Sequence, residues 1–182
     1  KPMSNYFIKE IHEKNRSMMN MEGSLNLYHL LSRVLYQDIP GDVVETGCYR
    51  GLTAIILQKT LDKHKSVKSL HVYDSFEGLP EKTSMDSFPP SGSIKGSVYQ
   101  DNKRVGKGWF QTSEESLRTN FKDFSTKLPS IHKGWFKDTL PKDLPDYISF
   151  AHLDGDFYES TIISLENIYP KMKLVLAGPI IE

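Results

Sequence analysis

Hydrophobic positions repeat at helical spacing from Ser24 to Gln37, where Leu27, Leu30, Leu31, Val34 and Leu35 recur three or four apart. Pro40-Gly41 breaks that run, and the period changes. Asp42 to Glu45 reads as a short strand, Leu52 to Leu61 as a helix with Ile55, Ile56 and Leu61 on its apolar side, and Leu70 to Tyr73 as a second strand. This is a β-α-β unit of about 30 residues. Thr112-Ser113-Glu114-Glu115 offers a capping box, with Thr112 as N-cap, ahead of a helix bearing Leu117, Phe121 and Phe124. Ile131 to Lys133 is a candidate strand. Asp146 to Leu153 is the clearest buried one, followed by a helix from Ser160 to Ile168 that stops before Pro170. Leu174 to Ile181 reads as a last strand. Strands alternating with helices predict an α/β fold, a mostly parallel sheet with helices on both faces.

Two segments stand outside that alternation. Lys1 to Met21 is polar with scattered Met and aromatics, and reads as a weak helix or a flexible arm. Asp74 to Gln111 is rich in Gly, Pro and Ser and lacks clear periodicity. A compact domain keeps so long an irregular segment when it is functional or mobile, so we read a lid or substrate loop. Residues 1–22 are then an arm and 23–182 one domain.

Composition narrows the function classes. The chain has 182 residues, enough for one such domain with a sizeable core. Lys plus Arg and Asp plus Glu are both 23, and no block of like charge points to nucleic acid or an anionic membrane surface. No apolar stretch approaches a membrane span, and no secretory leader opens the chain. Cys48 is the single cysteine, which excludes an internal disulfide and fits a reducing cytoplasm. Its place before a glycine turn suggests a small packed thiol rather than a nucleophile. Met18, Met19 and Met21 could line a pocket but read first as gap-filling core residues, Lys63 to Lys68 reads as a solvated helix end, and the histidines show no metal-ligand spacing.

The chemistry sits at the ends of the apolar runs. Val43-Val44-Glu45-Thr46-Gly47-Cys48-Tyr49-Arg50-Gly51 ends a strand in an acid and a glycine turn, and Val72-Tyr73-Asp74-Ser75-Phe76 ends the next in another acid. That arrangement suits a nucleotide at the carboxyl edge of a parallel sheet. The turn is Glu-x-Gly-x-x-x-Gly, not the dinucleotide Gly-x-Gly-x-x-Gly, which favours S-adenosylmethionine. The turn from Glu45 to Gly51 is expected to hold the methionine end, with side-chain contacts from Thr46, Tyr49 or Arg50 around Gly47. Asp74 is expected to accept ribose hydroxyls, with Ser75 beside it and Phe76 against the adenine. Each also has a plain structural reading, as a tight turn, a loop-initiating Asp or a core aromatic. Asp154-Gly155-Asp156 places two carboxylates at the end of a buried strand, where they repel unless a cation or proton intervenes. A magnesium ion there could lower the pKa of a substrate hydroxyl, and Asp156, His152 or Glu159 could serve as base or support. The plain reading is a solvated turn with Asp156 or Ser160 capping the next helix. His152, inside the strand, reads as a hydrogen-bonded structural histidine.

Four motifs together resemble one family. They are Pro-Gly-Asp-Val-Val-Glu-Thr-Gly (40 to 47), Asp-Ser-Phe-Glu-Gly-Leu-Pro (74 to 80), Gly-Trp-Phe-Lys-Asp-Thr-Leu-Pro (134 to 141) and Leu-Asp-Gly-Asp-Phe-Tyr-Glu-Ser-Thr (153 to 161). In this order they are similar to the macrocin O-methyltransferase family, which methylates sugar hydroxyls on macrolide and aminocoumarin natural products. The resemblance implies a Rossmann-like class I methyltransferase sheet, S-adenosylmethionine as donor, a divalent metal such as magnesium, a small-molecule hydroxyl acceptor such as a sugar, and a homo-oligomer. It implies that Trp135 and Phe136 lie beside the cofactor, although Phe136 also reads as packing. It matches Asp154 to the family's metal ligand and makes Asp154 and Asp156 the catalytic pair.

One part of the pattern departs. The family expects an acidic pair just after the last strand, and here only Glu182 stands near that place. Two further strands have no room, so the sheet reads as incomplete at the C-terminus. Two rival readings follow: a non-catalytic binding or scaffold protein on the same fold, and a nicotinamide-dependent oxidoreductase. The absent third glycine and the Asp-Gly-Asp turn disfavour the latter.

Overall fold

The computed structural model describes residues 6–14, 19–86 and 106–173. Among them β1 (Asp42–Thr46), β2 (Leu70–Asp74), β3 (Ser130–Lys133) and β4 (Ile148–Leu153) form one parallel sheet in the order β3-β2-β1-β4. The chain steps outward from β1 to β3 and then returns to the other side of β1. That reversal opens a crevice at the carboxyl ends of β1 and β4. The α/β fold with a parallel sheet is therefore observed. Met172 bridges Ile148 in parallel on the free side of β4. The strand expected over 174–181, and Glu182, lie outside the described residues.

Strand alternation sends side chains to two cores. On one face Val43, Leu70 and Val72 meet α1 (Tyr6–Lys14), α2 (Met21–Tyr36), α3 (Leu52–Lys63) and α4 (Glu114–Asp123). On the other, Val44, Tyr73 and Ile148 meet α5 (Phe136–Asp143) and α6 (Tyr158–Ile168). Leu27 and Leu31 of α2 and Leu117 and Phe121 of α4 are buried, as their spacing predicts.

Several local expectations change. Of the two readings for the N-terminal segment, residues 6–14 take the helix, and Ile8 and Ile11 are fully buried. The boundary drawn between 22 and 23 falls inside α2, which begins at Met21 under an Asn20 cap. The cap of α4 is Ser113, whose hydroxyl accepts the Ser116 N–H at 3.1 Å, and not Thr112. Helix α5 was not foreseen. Lys68 is no solvated helix end: its ammonium donates to the Ile39 and Gly41 carbonyls at 2.5 and 2.9 Å, tying the turn ahead of β1.

Between β2 and β3, His132 stacks on Tyr73 at 4.4 Å and lies 3.1 Å from His71. Burial, then the neighbouring His71, hold His132 below the usual histidine value. A group with a lowered folded pKa binds fewer protons when folded, so its contribution is complete above the unfolded value and falls as pH drops through it. The melting temperature should therefore fall on going from pH 7 to 5, and His132→Phe should flatten that fall. An equally steep variant would assign it to other groups.

Candidate functional site

The turn after β1 is built by glycine where no other residue fits. Gly47 has φ +82°, and a Cβ there would stand 2.2 Å from the Asp154 carbonyl oxygen. β1 and β4 thus deliver their ends almost in contact, with the Asp154 N–H donating to the Thr46 carbonyl at 2.9 Å. Gly51 (φ +80°) presses against Leu117 and Phe121, which seats the N-terminus of α3 on α4. No side chain caps α3, so its first N–H groups face the crevice without a side-chain acceptor.

Asp74 locks this turn to the next strand end. One carboxylate oxygen accepts the Tyr49 N–H and the other the Phe76 N–H, both at 2.8 Å. A carboxylate offers about four acceptor positions, so two remain. Burial raises the Asp74 carboxyl above the ordinary value, while the two N–H groups pull it down. Asn120 of α4 donates to the Arg50 carbonyl at 2.9 Å, a third tie on the same turn.

A cavity of about 750 Å³ lies over these strand ends. Gly47, Tyr49, Arg50, Asp74 and Ser75 line it, together with Asp154 and Asp156. Both strand tips and the Asp-Gly-Asp loop therefore share one space. Three predicted residues do not line it. Thr46 is buried on the far face, within 3.4 Å of Ser164. Phe76 packs into the core with Cys48 and Leu117. Glu45 is fully buried in β1 opposite His152 of β4, and its Oε1 lies 3.0 Å from the imidazole Nδ1. Its Oε2 has no hydrogen-bond partner among the described residues.

The carboxylates of the loop differ in surroundings. Burial raises Asp154; His152 opposes that, and Glu45 adds to it. Burial also raises Asp156, reinforced by Asp154 and Asp74, with no histidine acting against them. Burial lowers His152, but the hydrogen bond and charge of Glu45, joined by Asp154, lift it above its usual value. Among the described residues no three His, Cys, Asp or Glu side chains group as a metal cluster.

Trp135, Phe136, Lys137 and Glu159 form the far wall, and Lys107 and Phe110 the near rim. Trp135, left open by the sequence, lines the cavity. Phe136 does so while also packing against the second core. Met19, expected as gap-filling, is also a lining residue, and Met21 is exposed. Lys107, Phe110, Asn120 and Lys137 were missed; the first three stand on segments without a motif, and Lys137, inside the 134 to 141 motif, was given no role there. Cys48 is a buried thiol, as expected, and burial pushes it well up. No helix among the described residues is long and apolar enough to cross a membrane.

The model of the macrocin-O-methyltransferase (TylF) family matches residues 12–181. The chain is 32% identical over 161 residues to the demethyldecarbamoylnovobiocin O-methyltransferase of Streptomyces niveus, covering 87% of this chain and 58% of that protein. It is 33% identical over 159 residues to the 8-demethyl-8-(2,3-dimethoxy-alpha-L-rhamnosyl)-tetracenomycin-C 4'-O-methyltransferase of Streptomyces olivaceus, covering 86% and 58%. The solved structure of the O-methyltransferase NovP superposes with a TM-score of 0.69 at 31% identity, over 86% of this chain and 63% of that one. The chain thus spans 58% of the length of the first two curated relatives. With that match and these identities, the chain belongs to the macrocin-O-methyltransferase (TylF) family.

Proposed function

We propose that this chain carries the cofactor-binding and catalytic core of an S-adenosylmethionine-dependent O-methyltransferase acting on a hydroxyl of a sugar or glycosylated small molecule. The observation that carries the reading is the convergence of the Gly47 turn, Asp74 and Asp154-Gly155-Asp156 on one cavity. The Streptomyces olivaceus relative is by its name a 4'-O-methyltransferase of a rhamnosyl tetracenomycin, which supports the acceptor class.

The residues present fit the cofactor. Glu45 Oε2, beneath the Gly47 turn, is a buried acceptor without a partner among the described residues, suited to an ammonium in the cavity reached through water. The first turn of α3 offers N–H groups to a carboxylate. Asp74 keeps acceptor positions for ribose hydroxyls. When bound, S-adenosylmethionine supplies an electrophilic methyl group. Asp156 takes the acceptor hydroxyl's proton, because its nearest charges are carboxylates and a proton relieves their repulsion. Asp154, backed by the His152–Glu45 pair, stays the better-compensated anion.

Asp154 is also the residue suited to magnesium, with Glu182 as a second donor. Magnesium typically takes one or two carboxylates from a protein and completes its shell with water and substrate oxygens. When bound it would acidify an acceptor hydroxyl. Stripping the protein with a chelator should lower turnover by about tenfold or more, and added magnesium should restore it. Turnover indifferent to both would remove the metal from the mechanism. A homo-oligomer belongs to the same reading, and light scattering checks it. Titration calorimetry with S-adenosylhomocysteine tests the core proposal: a dissociation constant in the micromolar range or tighter is expected, and absence of binding would overturn it.

A further inference from the structure

We infer that Asp86 is a positioning residue for the acceptor side of the cavity, holding the Asp154–Asp156 loop against the segment that leaves β2. Helix α6 begins without a local cap, since the N-cap residue Phe157 makes no side-chain bond. The missing acceptor comes from 72 residues earlier in the chain: Asp86 Oδ1 accepts the Tyr158 N–H at 2.8 Å. The other oxygen accepts the Thr83 N–H at 2.7 Å and the Thr83 hydroxyl at 2.9 Å, which fixes the carboxylate's direction. Lys82 lies 5.8 Å from the Phe157 ring centroid, a second contact between the same two segments.

Both segments wall the cavity. Gly78, Leu79, Pro80 and Glu81 line one side, and Glu159 and Ser160 the other. The first segment is pinned elsewhere to residues 108–112, through Leu79 N–H to the Trp109 carbonyl and Gly108 N–H to the Leu79 carbonyl. Asp86 gives it a further anchor on α6. From there the tie reaches the chemistry directly. The Thr161 hydroxyl donates to the Gly155 carbonyl at 2.8 Å, and a Cβ on Gly155 would stand 3.0 Å from that of Ser160. The first turn of α6 and the Asp-Gly-Asp loop move as one piece, and Asp86 sets where that piece sits. A carboxylate at a helix N-terminus also complements the helix dipole. The Asp86 carboxyl is accordingly held below its usual value by the N–H and hydroxyl groups it accepts.

Hydrogen exchange on the full chain tests the placement without an acceptor. In Asp86→Ala, peptides covering 154–162 should exchange about fivefold faster, as for a helix that has lost its cap. Peptides of α3 and the affinity for S-adenosylhomocysteine should stay unchanged. Thr83→Ala should give a smaller change at the same peptides. A kinetic arm rests on the methyl-transfer reading: with a glycoside that the wild type methylates, kcat should fall about tenfold while the KM for S-adenosylmethionine holds. Asp86→Asn keeps one oxygen for the Tyr158 N–H but sets an amide NH2 against the Thr83 N–H, so it should recover only part of it. Unchanged exchange over 154–162 in Asp86→Ala overturns the inference, as does general loosening that takes α3 and cofactor affinity with it. A wild type that binds no S-adenosylhomocysteine overturns the methyl-transfer reading instead, and the exchange comparison still decides Asp86.

Discussion

Gly47→Ala should lower the melting temperature by about 10 °C and weaken S-adenosylhomocysteine binding by about a hundredfold or more. The left-handed backbone at φ +82° costs an alanine about 1 kcal/mol or more. The larger cost is steric. The new Cβ would lie 2.2 Å from the Asp154 carbonyl oxygen and 2.9 Å from its carbon, and no rotamer change relieves a contact between backbones. Either β4 recedes or the turn does. Both are held: Gly47 N–H donates to the Tyr73 carbonyl and Asp154 N–H to the Thr46 carbonyl, each at 2.9 Å. A loss of about 3 kcal/mol follows from strain and ladder bonds together, which in a chain of this size corresponds to that temperature shift. Binding suffers about as much as stability, since the displaced atoms are the cavity floor. Gly106→Ala is the matched control, for a Cβ there meets nothing within 4 Å. If Gly47→Ala melts and binds as Gly106→Ala does, the close approach of the two strand ends is not what builds the site.

That approach was legible in the sequence because parallel strands covered on both faces are continuous apolar runs, and each run ended in an acid or a glycine. Asp74, Gly47 and Asp154-Gly155-Asp156 all announce themselves this way. Glu45 announced itself only halfway. Its place after Val43-Val44 marked it as special, yet its partner His152 is 107 residues away and is brought opposite only by the β1–β4 register. Helix α5 stayed hidden for a different reason. Its sequence FKDTLPKD carries Pro141 and buries only Thr139 and Leu140, so neither propensity nor periodicity marks it. Tertiary packing against α6 and the sheet makes it a helix. The cap of α6 was misread likewise. Asp156 and Ser160 were the local candidates, but the acceptor is Asp86, and no rule about neighbouring residues reaches that far. The sequence thus marked the strand ends that floor the cavity better than its walls, since those walls are assembled from segments distant in the chain.

The carboxylate pair gives the second large effect. Asp156→Asn should lower kcat by about 100- to 10,000-fold, the range a positioned general base supplies, with S-adenosylhomocysteine affinity retained. The side chains are isosteric, so packing is preserved and only the proton acceptor is lost. Asp154→Asn should behave differently. His152 opposes the effect of burial on the Asp154 carboxylate, so removing that carboxylate strips compensation from a buried imidazole and takes away the proposed magnesium donor. Turnover should fall there too, but the remaining activity should no longer respond to magnesium. The measurement is the initial rate of S-adenosylhomocysteine release, with an acceptor glycoside the wild type methylates, at several magnesium concentrations. Should Asp156→Asn turn over at the wild-type rate, the proton goes elsewhere. Glu159, which lines the same cavity as the second residue of α6, is then the carboxylate to replace next.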